Sequence, residues 1–167
     1  MAETAQQYTQ RVLGYLQGKD LMEVLSSTPT ELETLVRGVP REKLDAAPAP
    51  GKWSITMILA HIADTDIVQG YRIRLVLGAN GIPIQGFDQD AWAVVGDYQS
   101  HDPAVSLSDF RVIRQRTVRL LKAISAKQWE QYGMHSERGK ETVRRIAEMM
   151  AGHDLNHLKQ IRSILGK

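Results

Sequence analysis

Apolar residues recur along this chain at the three-and-four spacing of a helix face, in four main segments separated by connectors rich in Pro, Ala and Gly. Tyr8, Val12, Tyr15 and Leu16 predict an amphipathic helix ending near Gly18. Asp20 caps a short continuation through Leu25. Thr28-Pro29-Thr30-Glu31 then reads as a fresh start, with Thr as N-cap, Pro at the first helical position and Glu three residues on. Leu32, Leu35, Val36 and Val39 supply its buried stripe, so these pieces form one interrupted wall. Pro40 to Gly51 is a connector with one helical turn near Arg41–Leu44.

Ser54 is an N-cap for a long helix to about Gly78, with Trp53 placed to staple its first turn. Met57, Ile58, His61, Val68 and Tyr71 share a face of that helix, so His61 stands where an apolar residue is expected. Gly81, Pro83 and Gly86 mark turns in the long crossover 79–103, and Asp88 to Val95 predicts a short helix carrying Trp92. Asp102-Pro103 opens a third helix with the stripe Leu107, Phe110, Ile113, Thr117, Leu121 and Ile124. Its opposite face, with Arg111, Arg114, Arg116 and Arg119, reads as solvated, with one or two arginines free to meet an anionic substrate. A connector from Ala126 to Lys140 precedes a final helix running from about Glu141 to Leu165. No credible strand pair and no repeat is visible. The pattern predicts an all-α fold over residues 1–167, a single-domain four-helix bundle with short accessory helices.

Composition narrows the function classes. The 167 residues are 43% hydrophobic, with a formal net charge of +2 and no cysteine. Lys and Arg are scattered, which argues against a nucleic-acid surface. Met1 to Gln10 lacks the apolar run of a signal peptide, and no stretch is long and apolar enough to span a bilayer, so a cytoplasmic protein without a membrane partner is expected. Without cysteine there is no disulfide, no thiolate metal site and no cysteine nucleophile.

The chemistry lies in the last helix. Ile146, Met150, His153, His157, Ile161 and Ile164 fall on one face, apolar except for the two histidines. Residues four apart sit one turn above each other, so both imidazoles reach one point. The pair reads equally as satisfied core histidines or as two metal ligands, and H-E-x-x-H is not met, because position 154 is Asp. Bundles build metal sites from facing helices, and His61 on the second long helix supplies a third imidazole. Three neutral imidazoles suit one divalent transition metal, whether zinc, nickel, iron or cobalt, and nothing in the sequence picks among them, though zinc or nickel is expected first. Three protein ligands leave a position for water or substrate.

Gly51-Lys52-Trp53-Ser54 with His61, then His135-Ser136-Glu137-Arg138-Gly139, then His153-Asp154-Leu155-Asn156-His157 with Gln160-Ile161, resembles the DinB superfamily over most of the chain, from about Tyr8 to Ile164. Within it, the chain is similar to the branch holding the bacillithiol transferases and proteins labelled metal-dependent hydrolases. The resemblance implies an up-down-down-up bundle in which the 79–103 crossover joins parallel neighbours. It also implies that His61, His153 and His157 are the metal ligands, and it is compatible with a homodimer.

Asp64, one turn beyond His61, and Gln160, near His157, are candidates to hold the outer nitrogens of those rings. Asp154 reads as a solvated flank. Asp64, His135 and Glu137 are the candidate acids or bases, with His135 read first as a loop cap. Trp53 and Trp92 read as core or pocket wall. Three functions follow: thiol-dependent S-transfer to a small electrophile, hydrolysis by metal-activated water, and a metal-binding bundle without turnover. The expected partner is a small molecule, with a low-molecular-weight thiol as cosubstrate in the first reading.

Overall fold

A computed structural model describes residues 3–167. The four long helices are α2 (Leu21–Val36), α4 (Ile55–Gly78), α6 (Pro103–Ala123) and α8 (Val143–Leu165); α1 (Ala5–Gly14), α3 (Arg41–Asp45), α5 (Gln89–Val95) and α7 (Ala126–Trp129) are accessory. The starts of α2, α4, α6 and α8 carry the predicted chemistry, with side-chain oxygens of Asp20, Ser54, Asp102 and Thr142 accepting backbone N–H groups of the first turn. Asp66 meets Arg114 while Gly70 lies against Thr117, so α4 and α6 run parallel. Glu31 pairs with Arg162 and Lys167 reaches Leu35, so α2 and α8 run parallel too. This is the up-down-down-up order. Among the described residues no helix is long and apolar enough to cross a membrane.

Two departures from the sequence reading concern the backbone. Pro29 does not start a helix; it lies inside the continuous α2. A mid-helix proline leaves the carbonyl four residues back without its partner. Here Leu25 O accepts from Arg114 Nη1 at 3.3 Å instead, so the freed carbonyl is satisfied from α6. The connectors also form a small sheet that the sequence did not announce. β1 (Ile82–Ile84) pairs parallel with β2 (Tyr132–His135), which pairs antiparallel with β3 (Gly139–Thr142). Gly133 permits this pairing, since a Cβ there would sit 2.5 Å from Ile84 Cδ1.

The core is split by depth. One apolar cluster joins Leu25, Ile73, Val76, Leu121, Ile146 and Met150; another joins Leu32, Ile58, Ile62, Phe110, Leu158 and Ile161. Between them runs a belt of buried polar groups: His61, Thr65, Asp66, Arg114, Thr117, His153, Asp154 and His157. Gly152 fixes how α1 crosses α8 beside this belt. A Cβ at 152 would meet Val12 O at 2.3 Å, so only glycine admits the approach.

Three side chains turn out reversed in exposure. Tyr71 is exposed, and Arg114, read as part of a solvated face, is 2% exposed. The reason is charge complementarity. Arg114 Nε and Nη2 bond Asp66 Oδ1 at 3.0 and 2.7 Å, Nη2 bonds Asp154 Oδ1 at 3.0 Å, and Nη1 bonds Asp154 Oδ2. Asp154 is therefore no solvated flank; it is 1% exposed. Burial alone would lower the Arg114 pKa, but the charges of Asp154 and Asp66 override it and hold it above the usual arginine value. Burial pushes the Asp66 carboxyl up, against the pull of Arg114.

Candidate metal centre

His61 projects from the middle of α4, and His153 and His157 from successive turns of α8. Their Nε2 atoms converge. His61 Nε2 lies 3.0 Å from His153 Nε2, and His157 Nε2 lies 3.1 Å from the same atom. All three rings are buried. Gln160 Oε1 stands 2.9 Å from His157 Nδ1 and accepts its N–H, which leaves the His157 Nε2 lone pair facing inward. Thr65 Oγ1 touches the His61 ring at 3.4 and 3.5 Å, and Trp53 packs edge-on to it with centroids 4.9 Å apart.

Each ring is held neutral. Burial, with the neighbouring His157, pulls the His61 pKa down to about 3. Burial also brings His157 to about 4, despite the opposing hydrogen bond to Gln160. His153 is pushed well below its usual range by burial, then by the other two rings and Arg114. Three neutral imidazoles meeting nitrogen to nitrogen cannot satisfy one another. One proton on His153 Nε2 bridges to one neighbour and leaves the other lone pair opposed. A cation accepts all three, so the donor set fits a metal ion. Among the described residues no carboxylate oxygen joins this group.

In metal-free protein, these rings also predict a pH response. Their folded-state pKa values lie below the unfolded value of 6.5, so the unfolded chain binds more protons between about pH 6.5 and pH 4. Stability is then present above that window and lost as pH falls through it. The urea midpoint of metal-free protein should drop steadily across these pH values, and a level midpoint would contradict the burial of neutral rings.

A cavity of about 360 Å³ opens beside His61 and His153. One face of α4 lines it with His61, Thr65, Gln69 and Arg72, at spacings of four, four and three, while Tyr8 of α1 and Glu137 of the β2–β3 turn contribute from the other side. Sequence reasoning missed Thr65, Gln69 and Arg72, although their spacing from His61 marks a polar line on a helix otherwise rich in apolar residues.

The candidate acids and bases land apart from the cluster. Asp64 does not hold the outer nitrogen of His61; its Oδ2 accepts from Tyr98 OH at 2.6 Å, on the short 3-10 turn Tyr98–Ser100 that follows α5. His135 is buried on β2, and its Nδ1 accepts the Glu137 backbone N–H at 3.1 Å, a loop contact. Glu137 is exposed on the cavity wall. Trp53 packs against His61 and the apolar core instead of lining the cavity, whereas Trp92 packs on Phe87 and is 39% exposed.

A family model described as the DinB superfamily matches residues 25–161. A protein of Oceanobacillus iheyensis named a putative metal-dependent hydrolase is 26% identical over 140 residues, covering 84% of this chain and 81% of its own. YfiT of Bacillus subtilis, also named a putative metal-dependent hydrolase, is 24% identical over 145 residues, covering 86% of this chain and 81% of its own. The solved structure of YfiT superposes with a TM-score of 0.79 at 20% identity, covering 99% of this chain and 91% of that one, and is described as an unusual four-helix bundle topology.

Proposed function

This chain belongs to the DinB superfamily, and on that premise we propose that His61, His153 and His157 hold one divalent transition-metal ion in an enzyme acting on a small molecule. The observation that carries this reading is the meeting of three neutral imidazoles with no carboxylate among them. Such a donor set suits zinc or nickel ahead of iron or cobalt, and three protein ligands with a free position are the pattern of catalytic sites. When bound, the ion supplies Lewis acidity, lowering the pKa of a thiol or water beside it. The chain supplies the rest. Gln160 fixes the His157 tautomer, Thr65 and Trp53 fix the His61 ring, and α4 with the β2–β3 turn shapes the cavity.

Thiol-dependent S-transfer to a small electrophile is the first reading. The chain has no cysteine, so the nucleophile arrives with a low-molecular-weight cosubstrate. Water attack needs a general base within hydrogen-bond reach of its proton, and no carboxylate stands in the cluster. Hydrolysis is the second reading, favoured by the names of the relatives and by Glu137 on the cavity wall.

One assay separates them. Metal-loaded protein is incubated with a chromogenic electrophile, with and without a panel of cellular thiols, and with chromogenic esters and amides alone. Turnover only with thiol supports S-transfer. Thiol-independent cleavage supports hydrolysis, and silence in every arm overturns the enzyme reading in favour of a binding bundle.

A further inference from the structure

The cavity has a second chemical end. Arg72 is 3% exposed yet lines the same cavity as His61 and His153. It lies eleven residues beyond His61 on α4, an axial separation of about 16 Å between the two Cα positions. Its Nη2 donates to Gln85 O at 2.5 Å and its Nη1 to Gln69 Oε1 at 3.5 Å, and its guanidinium faces the Phe87 ring at 5.7 Å. These bonds use two of the five N–H donors an arginine carries. Among the described residues no carboxylate lies within ion-pair distance of it.

The neighbouring carboxylates compensate it only from a distance. Arg138 is paired by Glu141 at 2.7 and 3.0 Å, and the Glu137 carboxylate rests against Gly86, where a Cβ would meet its Oε1 at 2.9 Å. Burial, and then the Arg138 charge, pull the Arg72 pKa down to about 10, against the weaker opposing pull of Glu141 and Glu137. A buried cation with free donors and no carboxylate in direct contact is costly unless something anionic completes it. The other buried arginine of the bundle, Arg114, has two carboxylates.

We infer that Arg72 anchors an oxyanion, a carboxylate or phosphate, carried by the substrate at the end of the cavity away from the histidines. This rests on the reading of the cavity as the substrate site. The substrate is then an elongated small molecule, with an anionic group at one end and its reacting atom at the other. Gln69 and Gln85 hold the guanidinium fork open, and Phe87 backs its plane.

The test is calorimetric titration of zinc-treated full-length protein with inorganic phosphate and, separately, with succinate. Wild type should bind at least one, which distinguishes phosphate from carboxylate as the recognised group. Arg72→Gln keeps an amide donor toward Gln85 O but removes the charge, and should weaken binding by about tenfold or more. Should Arg72→Gln fail to fold by circular dichroism, Arg72→Lys decides, with a smaller but measurable loss expected because a point charge replaces the fork. Failure of wild type to bind either anion overturns the inference, as does binding unchanged in the folded variants. Zinc stoichiometry is measured in parallel. Protein that takes no zinc but loses anion binding in Arg72→Gln refutes the metal reading and supports the anchor.

Discussion

Arg114→Ala is expected to lower the stability of the fold by about 3–5 kcal/mol, the cost of leaving buried charge without its partner. The guanidinium is fully surrounded, bonding Asp66 from α4, Asp154 from α8 and the Leu25 carbonyl of α2. Removing it strands two buried carboxylates and a carbonyl without their partner. Chemical denaturation gives the measurement: the urea midpoint should fall with little change in slope. Replacing all three charged partners together with apolar residues of similar volume, Asp66→Leu, Arg114→Met and Asp154→Leu, should recover much of the loss. A single variant within about 1 kcal/mol of wild type would mean that the belt carries little of the fold's stability.

His153→Ala should abolish tight zinc binding while the bundle stays folded. His153 Nε2 is the atom that both other rings approach, at 3.0 and 3.1 Å, so its loss leaves two donors with no shared centre. Affinity should drop by more than the roughly 10–100-fold that follows removal of an outer hydrogen-bond partner. Competition against a chromogenic chelator reads the affinity, far-ultraviolet circular dichroism reads the fold, and catalytic turnover should vanish with the metal. Wild-type affinity in the variant would place the ion elsewhere. Unfolding at room temperature would make the site structural and count against the enzyme.

The bundle and its three histidines were legible because helical periodicity is redundant. An imidazole on an apolar stripe stands out twice over, at His61 and again at His153 with His157. The Asp66–Arg114–Asp154 group was not legible for the mirror-image reason. A lone charge on a helix reads as solvated, and nothing local says that three such charges from three helices meet. The available signal was positional, since Arg114 sits four residues from Phe110 and three from Thr117, both on the core stripe. Pro29 misled because the rule for helix starts assumes that the preceding carbonyl stays idle, and here a side chain from α6 takes it. The three strands are too short for period-two alternation to register, and their pairing is set by the ends of α4 and α8. Asp64 failed as a partner for His61 because Tyr98, from the crossover, claimed its carboxylate.

The small sheet ties together the very ends from which the two histidine-bearing helices depart: α4 runs on into β1, and β3 runs directly into α8. At the opposite end Ile58 and Ile62 pack with Leu158 and Ile161. The pair of rods is thus clasped above and below the nitrogen donors. In zinc fingers the ion must also fold its own ligands, and its affinity is spent on that work. Here the three nitrogens already converge in the folded chain, so an arriving ion would spend little of its binding energy on assembling its ligands.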